Sequence, residues 1–131
     1  MQFVESRRRA GKLLHLVIAA SEGGDYLGEV LIFLRTPEAA EAGTGEIAYV
    51  VAPAARGRGI ASTALGLFSE WAFASLGLAR LQLFIRPDNL ASRRVAEKAG
   101  YTYEGTLRSA KLIRGKRVDS ALYSLLPADR D

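Results

Sequence analysis

The sequence contains no cysteine and only one histidine, His15. The absence of cysteine excludes disulfides, thiolate metal sites and a thiol nucleophile. A single histidine argues against a zinc site and a Ser-His-Asp triad, so no metal is expected. Long apolar runs are also absent, since Leu13–Ala20 and Val30–Leu34 fall short of the roughly 18 residues that a membrane-spanning helix requires. Met1–Ser6 lacks the pattern of a signal peptide, so a cytoplasmic location is predicted.

The amino-acid composition predicts one soluble globular domain over residues 1–131. Hydrophobic residues make up 49% of the chain and charged residues 24%, a balance too apolar for disorder and too charged for a membrane span. There are 18 Lys and Arg against 14 Asp and Glu, so the net charge is +4. This charge favours anionic ligands, and nucleic acid, a nucleotide cofactor and plain solubility are all compatible with it.

The order of predicted elements, β-β-β-α-β-α-β-β, indicates an α/β or α+β fold with helices packed on a mixed sheet. Gln2–Ala10 is interpreted as a basic helix end before the first strand. The first helix of the pattern ends before Gly77, and the second is capped by Asp88 or Asn89 and runs to Gly100. The apolar face of the first helix comprises Ile60, Ala64, Leu67, Phe68, Trp71 and Ala72. The predicted strands are Leu13–Ala20, Tyr26–Arg35, Glu46–Val51, Arg80–Arg86, Tyr101–Ile113 and Arg117–Leu126.

The segment Val50–Ala61 predicts an anion site, because a strand passes through a glycine-rich bend into the start of a helix. Glycines let the backbone approach a phosphate, and the first helical N–H groups have no partners within the helix. Arg56 and Arg58 add cationic donors, so a diphosphate is the expected ligand. The segment lacks the pattern of a P-loop. It fits the dinucleotide fingerprint poorly, since Ser62 stands where the third glycine belongs.

Four short motifs together resemble the GNAT superfamily of N-acetyltransferases. Residues 56–61, Arg-Gly-Arg-Gly-Ile-Ala, match its acetyl-coenzyme A motif, Arg/Gln-x-x-Gly-x-Gly/Ala. The family has similar residues at three later positions, which here are Asn89–Ser92, Gly100-Tyr101 and Glu104-Gly105. The resemblance extends from Lys12 to Leu126. Ser92 is similar to the serine of the branch that acetylates ribosomal-protein N-termini and related amines.

The resemblance implies transfer of an acetyl group from acetyl-coenzyme A to a primary amine, either a protein N-terminus or a small molecule. The parallel third and fourth predicted strands would splay apart to admit the cofactor. Backbone groups of one strand would pair with the pantetheine arm, and the Arg-Gly loop would hold the diphosphate. The cofactor-binding residues that the resemblance implies are Tyr49, Val50, Val51, Arg56, Gly57, Arg58, Gly59, Ile60, Ala61, Asn89 and Ser92.

For catalysis, the resemblance implies a base that accepts the amine proton through water and an acid that protonates the departing thiolate. Glu46 is the first candidate for the base and Glu29 the second. Many members place a tyrosine acid where this chain has Ala96, so Ser92 is expected to act instead. Plain structural roles stay open: Glu46 as a solvated charge, Ser92 as a first-turn residue and Asn89 as a helix cap. The weaker alternatives for the acid are Tyr101 and Tyr123, and His15 is expected to be structural.

The chain departs from the resemblance near its start, where the family normally has a strand and two helices before the first hairpin. The cofactor half therefore looks complete, while the acceptor half is open or supplied by a partner subunit, which favours a homodimer. A non-catalytic acyl-coenzyme A-binding domain is the alternative. A nucleic-acid binder using Arg7–Arg9 and residues 111–117 is the third hypothesis, although neither nucleic acid nor a membrane is the expected partner.

Overall fold

A computed structural model describes residues 1–9, 13–34 and 43–130 of the chain. Seven strands form one sheet in the order β1-β2-β3-β4-β5-β7-β6, in which β4 and β5 are parallel and all other neighbours antiparallel. Short 3-10 helices cover Pro53–Ala55 and Pro127–Arg130. The main elements are β1 (Gln2–Arg9), β2 (Leu13–Ala19), β3 (Tyr26–Phe33), β4 (Thr44–Val51), α1 (Ile60–Leu76), β5 (Arg80–Ile85), α2 (Leu90–Lys98), β6 (Thr102–Ile113) and β7 (Lys116–Leu125).

The predicted order of strands and helices is confirmed from β2 to β7, and the fold is a mixed α+β one. The helix end predicted over Gln2–Ala10 is wrong, because Gln2–Arg9 is an edge strand paired antiparallel with β2. Phe3 supplies the reason, since its ring lies 6.1 Å from that of Phe68 and anchors the strand to the core. A strand therefore does precede the first hairpin. The predicted ends at Ala10 and Arg35, and the loop residues 36–42, lie outside the described residues.

Both α-helices of the described residues pack on the same face of the sheet. Phe68 of α1 contacts Phe3, and Tyr49 of β4 contacts Ser92 of α2. The prediction that Leu67 belongs to the buried apolar face of α1 is wrong, because Leu67 is 43% exposed. Trp71 is partly buried and stacks on Phe68. The largest fully buried side chains under the helices include Val30, Ile32, Phe68, Leu81, Leu83 and Tyr123. No helix in the described part of the chain is long and apolar enough to span a membrane.

The two parallel strands diverge after a short paired stretch. Pairing between β4 and β5 covers only Thr44 with Arg80, Gly45 with Leu81, and Glu46 with Gln82, although β4 continues to Val51 and β5 to Ile85. The β5-facing edge of β4 beyond Glu46 therefore has no strand partner among the described residues. The predicted splay of these two strands is confirmed.

Candidate active site

The loop between β4 and α1 is built as an anion site. Gly57 and Gly59 have φ values of +78° and +70°, which side chains other than glycine rarely adopt. No atom lies within 4 Å of a Cβ added at either position, so the space beside the loop is open. Gly59 is the N-cap of α1 and offers no side-chain cap, and the first turn carries no acidic residue. The first N–H groups of α1 therefore point into this space with the positive end of the helix dipole.

A cavity of about 620 Å³ opens beside this loop, between the end of β4 and helix α2. All the predicted cofactor-binding residues line it except Arg58, which lies exposed in the loop. Six further lining residues are absent from the sequence prediction: Ala55, Ser62, Ala91, Arg94, Val95 and Lys98. The four on α2 have helical spacing, so their common face could have been read from the sequence once Ser92 was placed.

Arg56 is fixed across the loop by its own side chain. Its Nε donates a hydrogen bond to the backbone oxygen of Val51 at 3.2 Å. This contact uses one nitrogen of the guanidinium, and the two terminal nitrogens make no hydrogen bond to any described residue. Because a guanidinium presents its donors as a rigid fork, Arg56 is oriented to bind a phosphate group.

Asn89 caps helix α2, as one of the two interpretations of this residue predicted. Its side-chain oxygen accepts a hydrogen bond from the Ser92 backbone N–H at 3.1 Å. The side chain also lines the cavity, and its NH₂ group makes no hydrogen bond to the described residues. The cap and a ligand contact are therefore compatible, because they use different atoms of the same amide.

The hydroxyl groups of Tyr49 and Ser92 form a pair that the sequence reasoning missed. Tyr49 Oη and Ser92 Oγ lie 2.9 Å apart, and the phenol also donates to the Ser92 backbone oxygen at 3.3 Å. Burial raises the pKa of Tyr49 above its ordinary value, so the phenol stays protonated at neutral pH. The available signal was the alternation along β4, which puts Tyr49 on the same face as the buried Ile47.

The two candidate carboxylates lie on the other face of the sheet. Glu46 forms the last paired position between β4 and β5, opposite Gln82, where the gap between the strands begins. Glu29 lies on β3 opposite Val50, which follows Glu46 by four residues on β4. Along the strand direction, the two glutamates are therefore about 13 Å apart. Both carboxylates share this face because Phe33, the partner of Glu46, and Glu29 have the same parity on β3.

Glu29 is held by two neighbours on the same face. Tyr26 donates a hydrogen bond to one carboxylate oxygen, and His15 Nε2 lies 2.6 Å from the other. The hydrogen bond from Tyr26 and then that from His15 lower the pKa of Glu29. A carboxylate with a lowered pKa is a weaker base, so this cluster makes Glu29 a poorer proton acceptor.

The two tyrosine alternatives lie away from the cavity. Tyr101 is buried and hydrogen-bonds to Ser69 Oγ at 2.7 Å, and burial raises its pKa strongly. Tyr123 is buried and accepts a hydrogen bond from Arg93 Nε at 2.9 Å. Ala96, which belongs to α2, is fully buried. Within residues 1–9, 13–34 and 43–130, no three His, Asp or Glu side chains are grouped as metal ligands would be.

The divergence of β4 from β5 puts an open strand edge beside the glycine-rich start of α1. The family model described as "Acetyltransferase (GNAT) domain" matches residues 2–102, and the chain belongs to this family. The resemblance inferred from the motifs is thereby confirmed.

Several curated relatives carry N-acetyltransferase names. YjcK of Bacillus subtilis, named as a probable N-acetyltransferase, is 33% identical over 115 residues, which are 88% of this chain and 62% of YjcK. YdaF of the same organism, provisionally named as a ribosomal N-acetyltransferase, is 35% identical over 62% of this chain and 44% of its own length. The chain therefore spans less than two thirds of these relatives.

The fold also matches solved structures. Spermidine N-acetyltransferase from Vibrio cholerae, in complex with coenzyme A and spermine, superposes with a TM-score of 0.78 over 89% of this chain and 67% of that one. Its sequence identity is 20%, so the similarity establishes the shared fold. The predicted mixed sheet with packed helices is thus also found in a solved N-acetyltransferase structure.

Proposed function

We propose that the chain is an N-acetyltransferase that moves an acetyl group from acetyl-coenzyme A to a primary amine, on a protein N-terminus or a small molecule. The observation that carries this proposal is the divergence of β4 from β5 beside the cavity and the Arg56–Ala61 loop. Coenzyme A is long and carries a diphosphate near one end, so it requires both an open strand edge and an anion site. This chain has the two side by side.

In this proposal, the diphosphate binds at the start of α1 and the pantetheine arm runs along β4. The N–H groups after Gly59 and the guanidinium of Arg56 would hold the phosphates. Backbone groups of Tyr49, Val50 and Val51 would pair with the amides of the arm as an added strand does. The NH₂ group of Asn89 supplies a further donor. Arg58 would act as a nearby positive charge, since its side chain does not line the cavity.

The reaction would place the base and the acid on opposite faces of the sheet. The amine nitrogen attacks the thioester carbonyl carbon, a C–N bond forms, and the C–S bond breaks. The proton lost by the amine passes through water to Glu46, which lies where the strands begin to diverge. Glu29 is the second candidate, although its pKa is lowered by Tyr26 and His15.

Ser92 would give its proton to the departing thiolate. Its Oγ is hydrogen-bonded to the phenol of Tyr49, whose raised pKa keeps a proton available at neutral pH. When Ser92 gives its proton away, the phenol can turn its own proton from the Ser92 backbone oxygen to Oγ and then take a proton from water, in a short relay of two hydroxyls. Tyr101 and Tyr123 are poorer candidates because both are engaged in the core.

The proposal extends to a cytoplasmic location and to a homodimer. The face that carries Glu29 and Glu46 also exposes apolar side chains, among them Val50, which is 55% exposed. Such a face supports association with a second copy or with an acceptor protein. Analytical ultracentrifugation that detects only monomer at micromolar concentration would contradict the homodimer. Detection of the native protein in a membrane or extracellular fraction would contradict the location.

The test is calorimetric titration with acetyl-coenzyme A of the parent protein and of two isosteric variants, Gly59→Asp and Gly59→Asn. Both residues tolerate a positive φ, so the pair differs mainly by one negative charge at the anion site. An effective dielectric constant near 20 makes a charge pair at about 4 Å worth about 4 kcal/mol, so a loss of at least tenfold is expected for Gly59→Asp relative to Gly59→Asn. Equal affinity of the two variants would contradict the proposed cofactor position.

Turnover separates an enzyme from a non-catalytic binding domain. Release of free thiol with a panel of primary amines and N-terminal peptides should be detectable for the parent. Glu46→Gln should lower kcat by about 10²–10⁴-fold while leaving the affinity for acetyl-coenzyme A unchanged, because the residue lies on the face away from the cavity. Tight binding without turnover on any amine would favour the binding domain instead.

A further inference from the structure

The charged residues that line the cavity beside the Arg-Gly loop are all positive. Among the described residues that line it, Arg56, Arg94 and Lys98 are cationic and no residue is Asp or Glu. Arg56 belongs to the loop at the start of α1, whereas Arg94 and Lys98 belong to α2. A single diphosphate at the α1 N-terminus already has Arg56 and the helix N–H groups as partners. The two cations of α2 therefore need a separate explanation.

Arg94 and Lys98 stand on one face of α2, four residues apart, and both side chains are exposed. Neither forms an ion pair or a hydrogen bond with any residue that the structure describes. The other charged side chains of this helix have structural partners: Arg93 donates to Tyr123 Oη at 2.9 Å and to the Pro87 oxygen at 3.0 Å, and Glu97 accepts from Tyr123 at 3.4 Å. The unpartnered cations are thus the two that face the cavity.

Lys98 also marks the point where the cavity continues past the loop. Together with Ser62, it lines both this cavity and a second groove of about 410 Å³ that runs along α1. In the second groove the nearest carboxylate of α1, Glu70, is 4.0 Å from Arg130. Lys98 therefore reaches a groove along α1 that Arg56 does not line.

We propose that Arg94 and Lys98 form a second phosphate subsite, which binds the 3′-phosphate of coenzyme A separately from its diphosphate. This proposal rests on the proposed function. Coenzyme A carries negative charge in two places, on the diphosphate and on a phosphomonoester of the ribose. A guanidinium and an ammonium on one helix face suit a phosphomonoester, since both donate charge-assisted hydrogen bonds to its oxygens. The subsite selects coenzyme A over nucleotide-bearing thiols that lack this phosphate.

The test compares coenzyme A with 3′-dephospho-coenzyme A by calorimetric titration. The parent should bind coenzyme A about tenfold more tightly, the size expected of one or two charge-assisted hydrogen bonds. The double variant Arg94→Gln/Lys98→Gln should bind coenzyme A about tenfold more weakly and dephospho-coenzyme A as the parent does. Its ratio of the two affinities should fall to about one.

A matched control removes the same charge from a distant surface. Arg108 and Lys116 lie exposed on the hairpin of β6 and β7, outside the cavity lining. Arg108→Gln/Lys116→Gln should preserve the parent's ratio, which separates the subsite from the general effect of net charge. Circular dichroism melts of all variants check that they are folded.

Three results would overturn the subsite. Equal affinity of the parent for the two ligands would show that the 3′-phosphate is not recognised. An equal loss for both ligands in the α2 variant would show that the cations serve the diphosphate. Failure of the parent to bind either ligand would contradict the proposed function as well, and only this result removes both proposals.

Discussion

The substitution Gly28→Ala tests how tightly β3 and β4 are packed where the cofactor is proposed to lie. Gly28 is paired with Val51, the last residue of β4. A Cβ added at Gly28 would lie far inside contact distance of the Val50 backbone oxygen and 3.0 Å from Val51 Cα. Both atoms belong to backbone, so no side chain can rotate to make room. The two strands would have to separate.

Overpacking of this kind costs about 1–3 kcal/mol, and a clash with hydrogen-bonded backbone belongs at the upper end. We expect Gly28→Ala to lower the free energy of unfolding by about 3 kcal/mol. For a domain of this size, that corresponds to a fall in Tm of about 10 °C. Because the shifted atoms belong to Val50 and Val51, the affinity for acetyl-coenzyme A should fall as well.

Urea unfolding followed by circular dichroism measures the effect, with two glycine variants as controls. Gly45→Ala would bring its Cβ to 2.7 Å from Ile32 Cδ1, a side-chain end that can move, so a smaller loss is expected. A Cβ added at Gly66, inside α1, would meet no neighbouring atom within 4 Å, so Gly66→Ala should raise the free energy of unfolding by about 0.5–1 kcal/mol. A Gly28→Ala variant within about 0.5 kcal/mol of the parent would refute the packing argument.

Substitutions at three further positions have distinct expected outcomes. Asn89→Asp should keep the α2 cap but weaken acetyl-coenzyme A binding in titration, whereas Asn89→Ala should also cost about 1 kcal/mol of stability in urea unfolding. Hydrogen bonds from Arg80 and then from Ser124 lower the pKa of Glu104 to about 2. The ionised Glu104 should therefore contribute stability that is fully present above pH 4.5 and is lost as the pH falls through 2. Acid titrations of Glu104→Gln should lack that component, and an unchanged acid profile would contradict it. Tyr101→Phe removes a buried hydroxyl and should cost about 1 kcal/mol in the same unfolding assay, with no change in cofactor affinity.

Local signals predicted most of the fold. Gly77 has a φ of +64° at the end of α1, and Asn89 caps α2, as their positions in the sequence indicate. The strand β1 was missed because its partner determines it. Its pairing with β2 and the contact of Phe3 with Phe68 are tertiary, and a run of arginines gives no alternation by which to predict a strand.

The candidate site divides in the same way. The Arg-Gly loop is contiguous in sequence, so its anion-binding geometry follows from local rules. The contact between Tyr49 and Ser92 joins residues 43 positions apart, and it depends on how α2 docks onto the sheet. Docking also decides which cations of α2 face the cavity: Arg94 does, while its neighbour Arg93 turns to Tyr123. A sequence pattern can indicate which residues share a helix face, but it does not indicate which part of the protein that face contacts.

The gap between β4 and β5 connects the two faces of the sheet, and this arrangement has a consequence for the proposed reaction. Ser92 and its partner Tyr49 lie on the helix face, whereas Glu46 lies on the other face at the start of the gap. The proton taken from the amine and the proton given to the thiolate would then follow separate routes. Ser92→Ala should therefore impair thiolate departure independently of Glu46, so the kcat losses of Ser92→Ala and Glu46→Gln should multiply in the double variant. A double variant that is no slower than the slower of the two single variants, measured by thiol release, would show that the two proton transfers share one group.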